Sequence, residues 1–269
     1  MDDSERTKAA DALMTASADR VAIAPLTETL GGFDIDEAYE IQLVQIARRV
    51  RAGAKIKGHK VGLTSAAMQA QFGVDQPDFG HLLDDMFFAE HEAVPFARFL
   101  QPRVEPEIAL VLRSDLAGPG VNMADAASAV SFVVPALELI DSRIRDWRIT
   151  ISDTIADNAS SAGVVLGSRI RRLEDCDLRL TGVTLHRNGE LVGTGAGGAV
   201  MGNPLAALVW LANVLGARGS GLRAGQVVLP GSMTASVPAS AGDTLCATYA
   251  GLGSVSVHFS AAAAAEGGA

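Results

Sequence analysis

The chain has 269 residues, 48% of them hydrophobic, which suffices for one large domain with a sizeable core. A formal net charge of −9 argues against nucleic acid or an anionic membrane as a partner. The two cysteines, Cys176 and Cys246, lie far apart and match neither a metal-ligand spacing nor a disulfide framework, so a reducing cytoplasm is expected.

The N-terminus, Met1 to Lys8, is acidic and polar with no apolar signal core, and no run reaches the ~18 apolar residues of a membrane span. Residues Ser4 to Ala18 have helical composition. Asp34 to Arg51 predicts a second helix, with Asp34 as its cap, acids in the first turn and arginines in the last, as the helix dipole favours. Residues 1–54 therefore read as a helical preface to a β-rich domain over 55–260. A short strand follows from Lys55, ending in a turn at Ser65, with Lys60 flanked by Gly58 and Gly62, where glycines allow close backbone approach. A helix over Ser65 to Phe72 leads to a Pro/Gly-punctuated loop, Gly73 to His81, that carries Asp75 and Asp78. Asp78-Phe79-Gly80 matches the metal loop of protein kinases in letters only; no Lys-bearing strand or catalytic loop accompanies it, and that reading is discarded.

The stretch Gln101 to Leu112 reads as an apolar strand interrupted by two carboxylates. Alternation puts Glu105 and Glu107 on one face with Ala109, their Cβ atoms roughly 7 Å apart. Unpaired they would repel, and a hard divalent cation such as Mg²⁺ or Mn²⁺ between them fits an oxygen donor set. On this stretch alone a solvated edge strand, which Pro106 would permit, is equally compatible. A third acid tips the balance: Glu138 stands alone in the apolar run Val133 to Asp141, and an unpartnered buried carboxylate is costly. If the two strands are neighbours, Glu105, Glu107 and Glu138 make a three-carboxylate metal site.

Farther along, Leu178 to Gly193 predicts two strands joined by an Asn188-Gly189 turn. Gly193 to Gly198 satisfies a dinucleotide-binding pattern in letters but lacks the helix and the downstream acid, so a close-packed bend is expected. Asn203 to Leu215 predicts a helix ended by Gly216. Strands are expected at Gln226 to Leu229, Thr244 to Tyr249 and Ser254 to Phe259, with His258 in a packing role. A low-complexity, frayed tail is expected over 261–269.

Several long motifs fall in one order. Gly58-His-Lys-Val-Gly-Leu-Thr-Ser65, Val74-Asp-Gln-Pro-Asp-Phe-Gly80, Pro102-Arg-Val-Glu-Pro-Glu-Ile-Ala109, Ile140-Asp-Ser-Arg-Ile-Arg-Asp-Trp147, Asp153-Thr-Ile-Ala-Asp-Asn-Ala-Ser-Ser161 and Gly251-Leu-Gly-Ser-Val-Ser-Val-His-Phe259 resemble the 2-oxopent-4-enoate (2-hydroxypentadienoate) hydratases over residues 20–259. These belong to the fumarylacetoacetate hydrolase-like superfamily. The resemblance implies an α+β fold with a mixed, rolled β-sheet core and an N-terminal helical region. It also implies a Mg²⁺ or Mn²⁺ ion, a 2-hydroxydienoate or 2-oxoenoate substrate from meta-cleavage of aromatic or steroid rings, and a homo-oligomer such as a pentamer or decamer. The family's metal carboxylates fall on Glu105, Glu107 and Glu138, and its catalytic Lys and Asp on Lys60 and Asp78. Ser160 and Ser161 read equally as substrate-contacting hydroxyls or as a helix-end turn, and Asp141 with Arg143 as a pair orienting Glu138. The rival activities are a 2-oxo-3-hexenedioate decarboxylase, a C–C hydrolase needing a His–Glu pair, and a non-catalytic metal-binding protein.

Overall fold

Both long N-terminal helices begin where an acid precedes the helix and a Glu stands three residues on. In the computed structural model, which describes residues 1–261, Asp2 caps α1 (Asp3–Asp19) in a reciprocal bond pair with Glu5, and Asp34 caps α3 (Ile35–Arg51) likewise with Glu37. The short α2 (Leu26–Thr29) lies between them. The expected tail falls, from residue 262 onward, outside the described residues.

Eight strands form the larger sheet: β1 (Ile56–Gly62), β2 (Asp78–Leu83), β3 (Phe87–Phe88), β5 (Arg103–Leu112), β6 (Val130–Ile140), β7 (Ser161–Leu166), β10 (Val227–Leu229) and β11 (Val237–Pro238). Their order is β2-β1-β10-β5-β6-β7-β3, with β11 on β5. The sheet is mixed, with β1–β10 and β3–β7 parallel and the other pairs antiparallel, and β2 reaches β7, so the sheet rolls up. A smaller sheet has the order β4-β13-β12-β8-β9, built from β4 (Ala93–Val94), β8 (Gly182–Arg187), β9 (Glu190–Ala196), β12 (Thr244–Tyr249) and β13 (Gly253–Phe259). The helices α4 (Ala66–Phe72), α5 (Met123–Ala129), α6 (Ile151–Ala156) and α7 (Pro204–Ala217) complete the elements. The β8–β9 hairpin turns at Asn188 and Gly189, both at positive φ as a two-residue turn of that kind demands, although its first strand starts at Gly182 rather than Leu178. The glycine run after it is a tight bend: a Cβ at Gly195 or Gly197 would sit 1.8 Å from a neighbouring carbonyl oxygen. His258 is exposed and pairs with Thr244 at 2.9 Å instead of packing.

The large sheet buries both faces, in two separate apolar clusters. On the outer face Val61, Phe79, Val104, Ile108, Leu137 and Leu139 pack with the helices and the small sheet. On the inner face Leu82, Ala109, Ala136, Val164, Val227 and Leu229 form their own cluster. The N-terminal helices belong to the outer layer. Gln42 of α3 donates to the carbonyls of Phe79 (3.0 Å) and Ile155 (2.8 Å), and Thr27 binds Asp153.

Two expectations for α7 are corrected. Segment 197–217 has the length and apolarity of a membrane span. The regular helix is only 14 residues, however, roughly 21 Å at 1.5 Å per residue, and it buries Leu205, Leu208, Leu211 and Leu215 in the core. Gly216 does not end it. The helix runs on to Ala217, and Gly216 is needed because a Cβ there would meet the Gly118 carbonyl oxygen at 2.2 Å.

The outer face of the β1–β2 hairpin holds His59 opposite His81, rings 4.8 Å apart, with Gln42 Oε1 2.9 Å from His81 Nδ1. Burial lowers the His81 pKa to about 4 and, with repulsion from His81, holds His59 well below its usual value. Unfolded histidines take up protons near pH ~6.5, so between there and about 4 the unfolded chain binds more protons. The histidine contribution to stability is thus complete above that window and lost as pH falls through it. Urea midpoints measured from about pH 7 to 4.5 should show a steeper acid loss for the wild type than for His81→Gln; equal slopes would mean that the imidazoles charge freely within the fold.

Candidate active site

Strands β5 and β6 pair antiparallel with Glu105 opposite Glu138 and Glu107 opposite Ala136. One oxygen from each of Glu105, Glu107 and Glu138 lies within 4.8 Å of the others. The adjacency left open by the sequence is therefore present, and β5 lies between strands rather than at an edge. Pro106 is tolerated because it faces the gap between β10 and β11, where its carbonyl accepts from Met233 N at 3.0 Å and no N–H is required.

Glu107 and Glu138 are fully buried and Glu105 is half-buried. Glu107 Oε2 accepts from the Gly231 N–H at 2.8 Å, whereas Glu107 Oε1 and both oxygens of Glu138 have no hydrogen-bond partner. Burial raises all three carboxyl pKa values. For Glu107 the other two acids add to it; for Glu138 Lys60 opposes it, leaving about 7. Buried oxygens without donors are costly, and a hard cation is the partner that this donor set fits.

Lys60 and Asp78 join the acids through sheet register. Lys60 lies opposite Gly80, and Gly62 opposite Asp78, so Lys60 and Asp78 share a face of the hairpin. Through β10 that face is continuous with Glu105 and Glu107, because Lys60 pairs with Leu229 and Val227 with Val111. Lys60 Nζ lies 3.5 Å from Glu138 Oε2 and donates to the Ala159 carbonyl at 3.0 Å. Burial by itself would depress this ammonium, but Glu138, Asp78, Glu105 and Glu107 outweigh it and raise its pKa. Asp78, expected in a loop, is the first residue of β2 and only 2% exposed; the loop ends at Pro77 because Asp78 pairs across to Gly62. Burial raises its carboxyl, Lys60 opposes that, and its Oδ1 has no partner.

The Ala159 carbonyl reaches Lys60 because Asn158, Ala159 and Ser160 all adopt left-handed φ, from 50° to 54°. Such residues cost ~1–3 kcal/mol each and persist where the surroundings impose them. Asn158 is held by His81, accepting from its N–H at 2.8 Å and donating to its carbonyl at 3.0 Å. Asp157 is held by Arg143, whose Nε lies 2.5 Å from Asp157 Oδ1. This corrects the expected pairing of Arg143 with Asp141: Asp141 accepts instead from the backbone N–H groups of Leu100 and Gln101. The Ser160 hydroxyl lies 3.2 Å from that of Thr154. The Ser161 hydroxyl is buried without a well-formed bond yet lies near enough to Glu138 to favour its ionised form.

No family model matches the chain. The 2-keto-4-pentenoate hydratase of Burkholderia vietnamiensis is 46% identical over 96% of this chain and 98% of its own. The Paraburkholderia xenovorans enzyme of the same name is 44% identical over 95% of each chain. The chain belongs to the 2-keto-4-pentenoate hydratase family. It is accordingly a hydro-lyase. A 2-hydroxyhexa-2,4-dienoate hydratase of Comamonas testosteroni is 42% identical over 88% of this chain and 90% of its own. Among solved structures, the 4-oxalocrotonate decarboxylase of Pseudomonas putida G7, complexed with magnesium and adipate, superposes with a TM-score of 0.92 at 38% identity, covering 96% of this chain and 98% of that one. The fumarylpyruvate hydrolase of Pseudomonas aeruginosa shares the fold at 16% identity and a TM-score of 0.61, over 76% of this chain and 89% of that one. The fold of this hydratase is thus the rolled sheet of the fumarylacetoacetate hydrolase-like proteins.

Gly62, expected from the sequence to allow close backbone approach, makes room for a side chain of the site. A Cβ there would stand 2.2 Å from Asp78 Oδ1 and 3.4 Å from Lys60 Nζ. Gly62→Ala should displace Asp78 by about an ångström and lower kcat by roughly 10²-fold, with little change in thermal midpoint. Unchanged turnover would show that the placement of Asp78 does not matter.

Proposed function

We propose that the enzyme adds water to a 2-hydroxy-2,4-dienoate, through its 2-oxo tautomer, to give a 4-hydroxy-2-oxo acid in meta-cleavage degradation of aromatic or steroid rings. The observation that carries this reading is one buried face on which Lys60 and Asp78 join three convergent carboxylates. Glu105, Glu107 and Glu138 would hold Mg²⁺ or Mn²⁺, which when bound supplies Lewis-acid polarisation of the C2 oxygen. Lys60 Nζ, held by Ala159 and Glu138, delivers the proton that C5 gains. Asp78 Oδ1, a buried acceptor without a partner, takes the proton from the water that adds at C4. Ser161 offers its free hydroxyl to the substrate, with Ser160 behind it.

The decarboxylase alternative draws on the 0.92 TM-score, but the relatives named hydratases have the higher identity, at 42–46%. A C–C hydrolase is less favoured, because His59 and His81 lie on the face of the sheet away from the carboxylates. The two free cysteines agree with a reducing cytoplasm. Exposed Leu180 and Leu191 would be covered in a homo-oligomer, pentameric or decameric; light scattering should then give a multiple of 27.8 kDa, and a monomeric mass would dismiss it.

The decisive experiment is incubation with 2-hydroxypenta-2,4-dienoate and Mg²⁺ or Mn²⁺. Gain of water by product mass supports hydration, while loss of carbon dioxide from 2-oxo-3-hexenedioate without any hydration would favour the decarboxylase. Asp78→Asn and Lys60→Ala should retain metal and lose ~10²–10⁴ in kcat. Glu105→Gln, Glu107→Gln and Glu138→Gln should lose metal affinity, and undiminished affinity in all three would remove the glutamates from the site.

A further inference from the structure

Arg103 stands two residues before Glu105 on β5, so the two side chains share the inner face of the sheet. It is half-buried, and its guanidinium is fixed from two sides. The Trp147 ring lies 5.4 Å beneath it, and its Nη1 donates to Ser236 Oγ at 3.1 Å. Trp147 is itself anchored, with Nε1 donating to the Gln101 carbonyl at 3.1 Å. The turn that brings the indole there has Asp146 and Trp147 at φ 59° and 55°, a conformation that bulky residues rarely adopt. Such a built platform under an arginine calls for a partner. Among the described residues no carboxylate lies within 4.0 Å of the guanidinium, Ser236 is its one side-chain hydrogen-bond partner, and its charge acts on Glu105 from farther off.

Arg103 and Lys60 flank the carboxylate cluster from different sides. Arg103 adjoins Glu105 at the half-buried rim, and Lys60 adjoins Glu138 in the buried interior. Beside the charges gathered around Lys60, the inner face of the sheet is hydrocarbon: Leu229 is the register partner of Lys60, and Leu82, Ala136 and Val164 share that cluster. A 2-oxo acid with an unsaturated tail has the same polarity, a charged head and a hydrocarbon end.

Building on the hydratase reading, we propose that Arg103 is the socket for the substrate carboxylate. The acid head sits at the rim on Arg103, the C2 oxygen at the glutamates, and C4 and C5 beside Asp78 and Lys60. An arginine suits this role because its planar fork binds both oxygens of a carboxylate. Arg103 is a specificity residue: its contact fixes which end of the substrate enters first.

Titration calorimetry of the Mg²⁺-loaded protein with 2-oxopentanoate, a saturated analogue, tests this. Arg103→Met should weaken binding about 10- to 100-fold, Arg103→Lys less, with Mg²⁺ affinity and thermal midpoint unchanged and KM for the dienoate raised more than kcat is lowered. Unaltered 2-oxopentanoate affinity in Arg103→Met overturns the proposal. A loss confined to 2-oxohexanedioate also overturns it, because Arg103 would then read a distal carboxylate. A wild type that binds 2-oxopentanoate through Arg103 yet never hydrates the dienoate sinks the hydratase reading and leaves the socket standing.

Discussion

The structure depends on placing several like charges together out of water. Glu107 and Glu138 are fully buried, Glu105 is half-buried beside them, and the Lys60 ammonium inside, with the Arg103 guanidinium at the rim, answers three carboxylates and Asp78. Two basic groups face four acids, and burial raises the pKa of every one of those carboxyls, so the site favours a further positive charge. The protein holds the acids apart from water by making both faces of the large sheet core. The outer face takes the helices, and the inner face closes on itself. Rolling the sheet is what allows charge and hydrocarbon to share one interior.

Local pattern was legible where the side-chain period decides. The same-face pair Glu105 and Glu107 follows from alternation, and the isolation of Glu138 in an apolar run shows its need for partners. The Asp34 cap of α3 and the Asn188-Gly189 turn follow from chemistry within four residues. Register between distant strands was not legible. Nothing local states that Glu105 lies opposite Glu138, or that Asp78 begins a strand and faces the same way as Lys60; those follow from the pairing of β5 with β6 and β1 with β2. The resemblance to the hydratases pointed to Lys60 and Asp78, but not to how they meet.

Misreadings share a cause. Arg143 was matched to the nearer acid in sequence, whereas the left-handed turn after α6 carries Asp157 to it. Gly216 looked like a helix stop because glycine often is one, but its function is contact with Gly118. Arg103 and Trp147 lay inside motifs already noted, with no sign that 44 residues of chain would return to stack them. In each case the deciding contact is between segments far apart in the chain.

The β1–β2 hairpin gives its two faces different work: Lys60 and Asp78 look into the interior, and His59, Phe79 and His81 look into the helical layer. Gly58 locks this arrangement, since any side chain there would collide with the Val227 carbonyl oxygen at 1.8 Å. A shift of one residue along the strand would present an imidazole to the carboxylates and bury an ammonium among aromatic rings. The one-residue irregularity in the β1–β2 pairing lies between Ile56 and Gly58, before Lys60, so the register from Gly58 to Gly62 sets which side chain reaches the carboxylates. A one-residue change of length between Gly58 and Gly62 would exchange the work of the two faces, whereas the same change in the connection between the strands, residues 63–77, would leave it as it is.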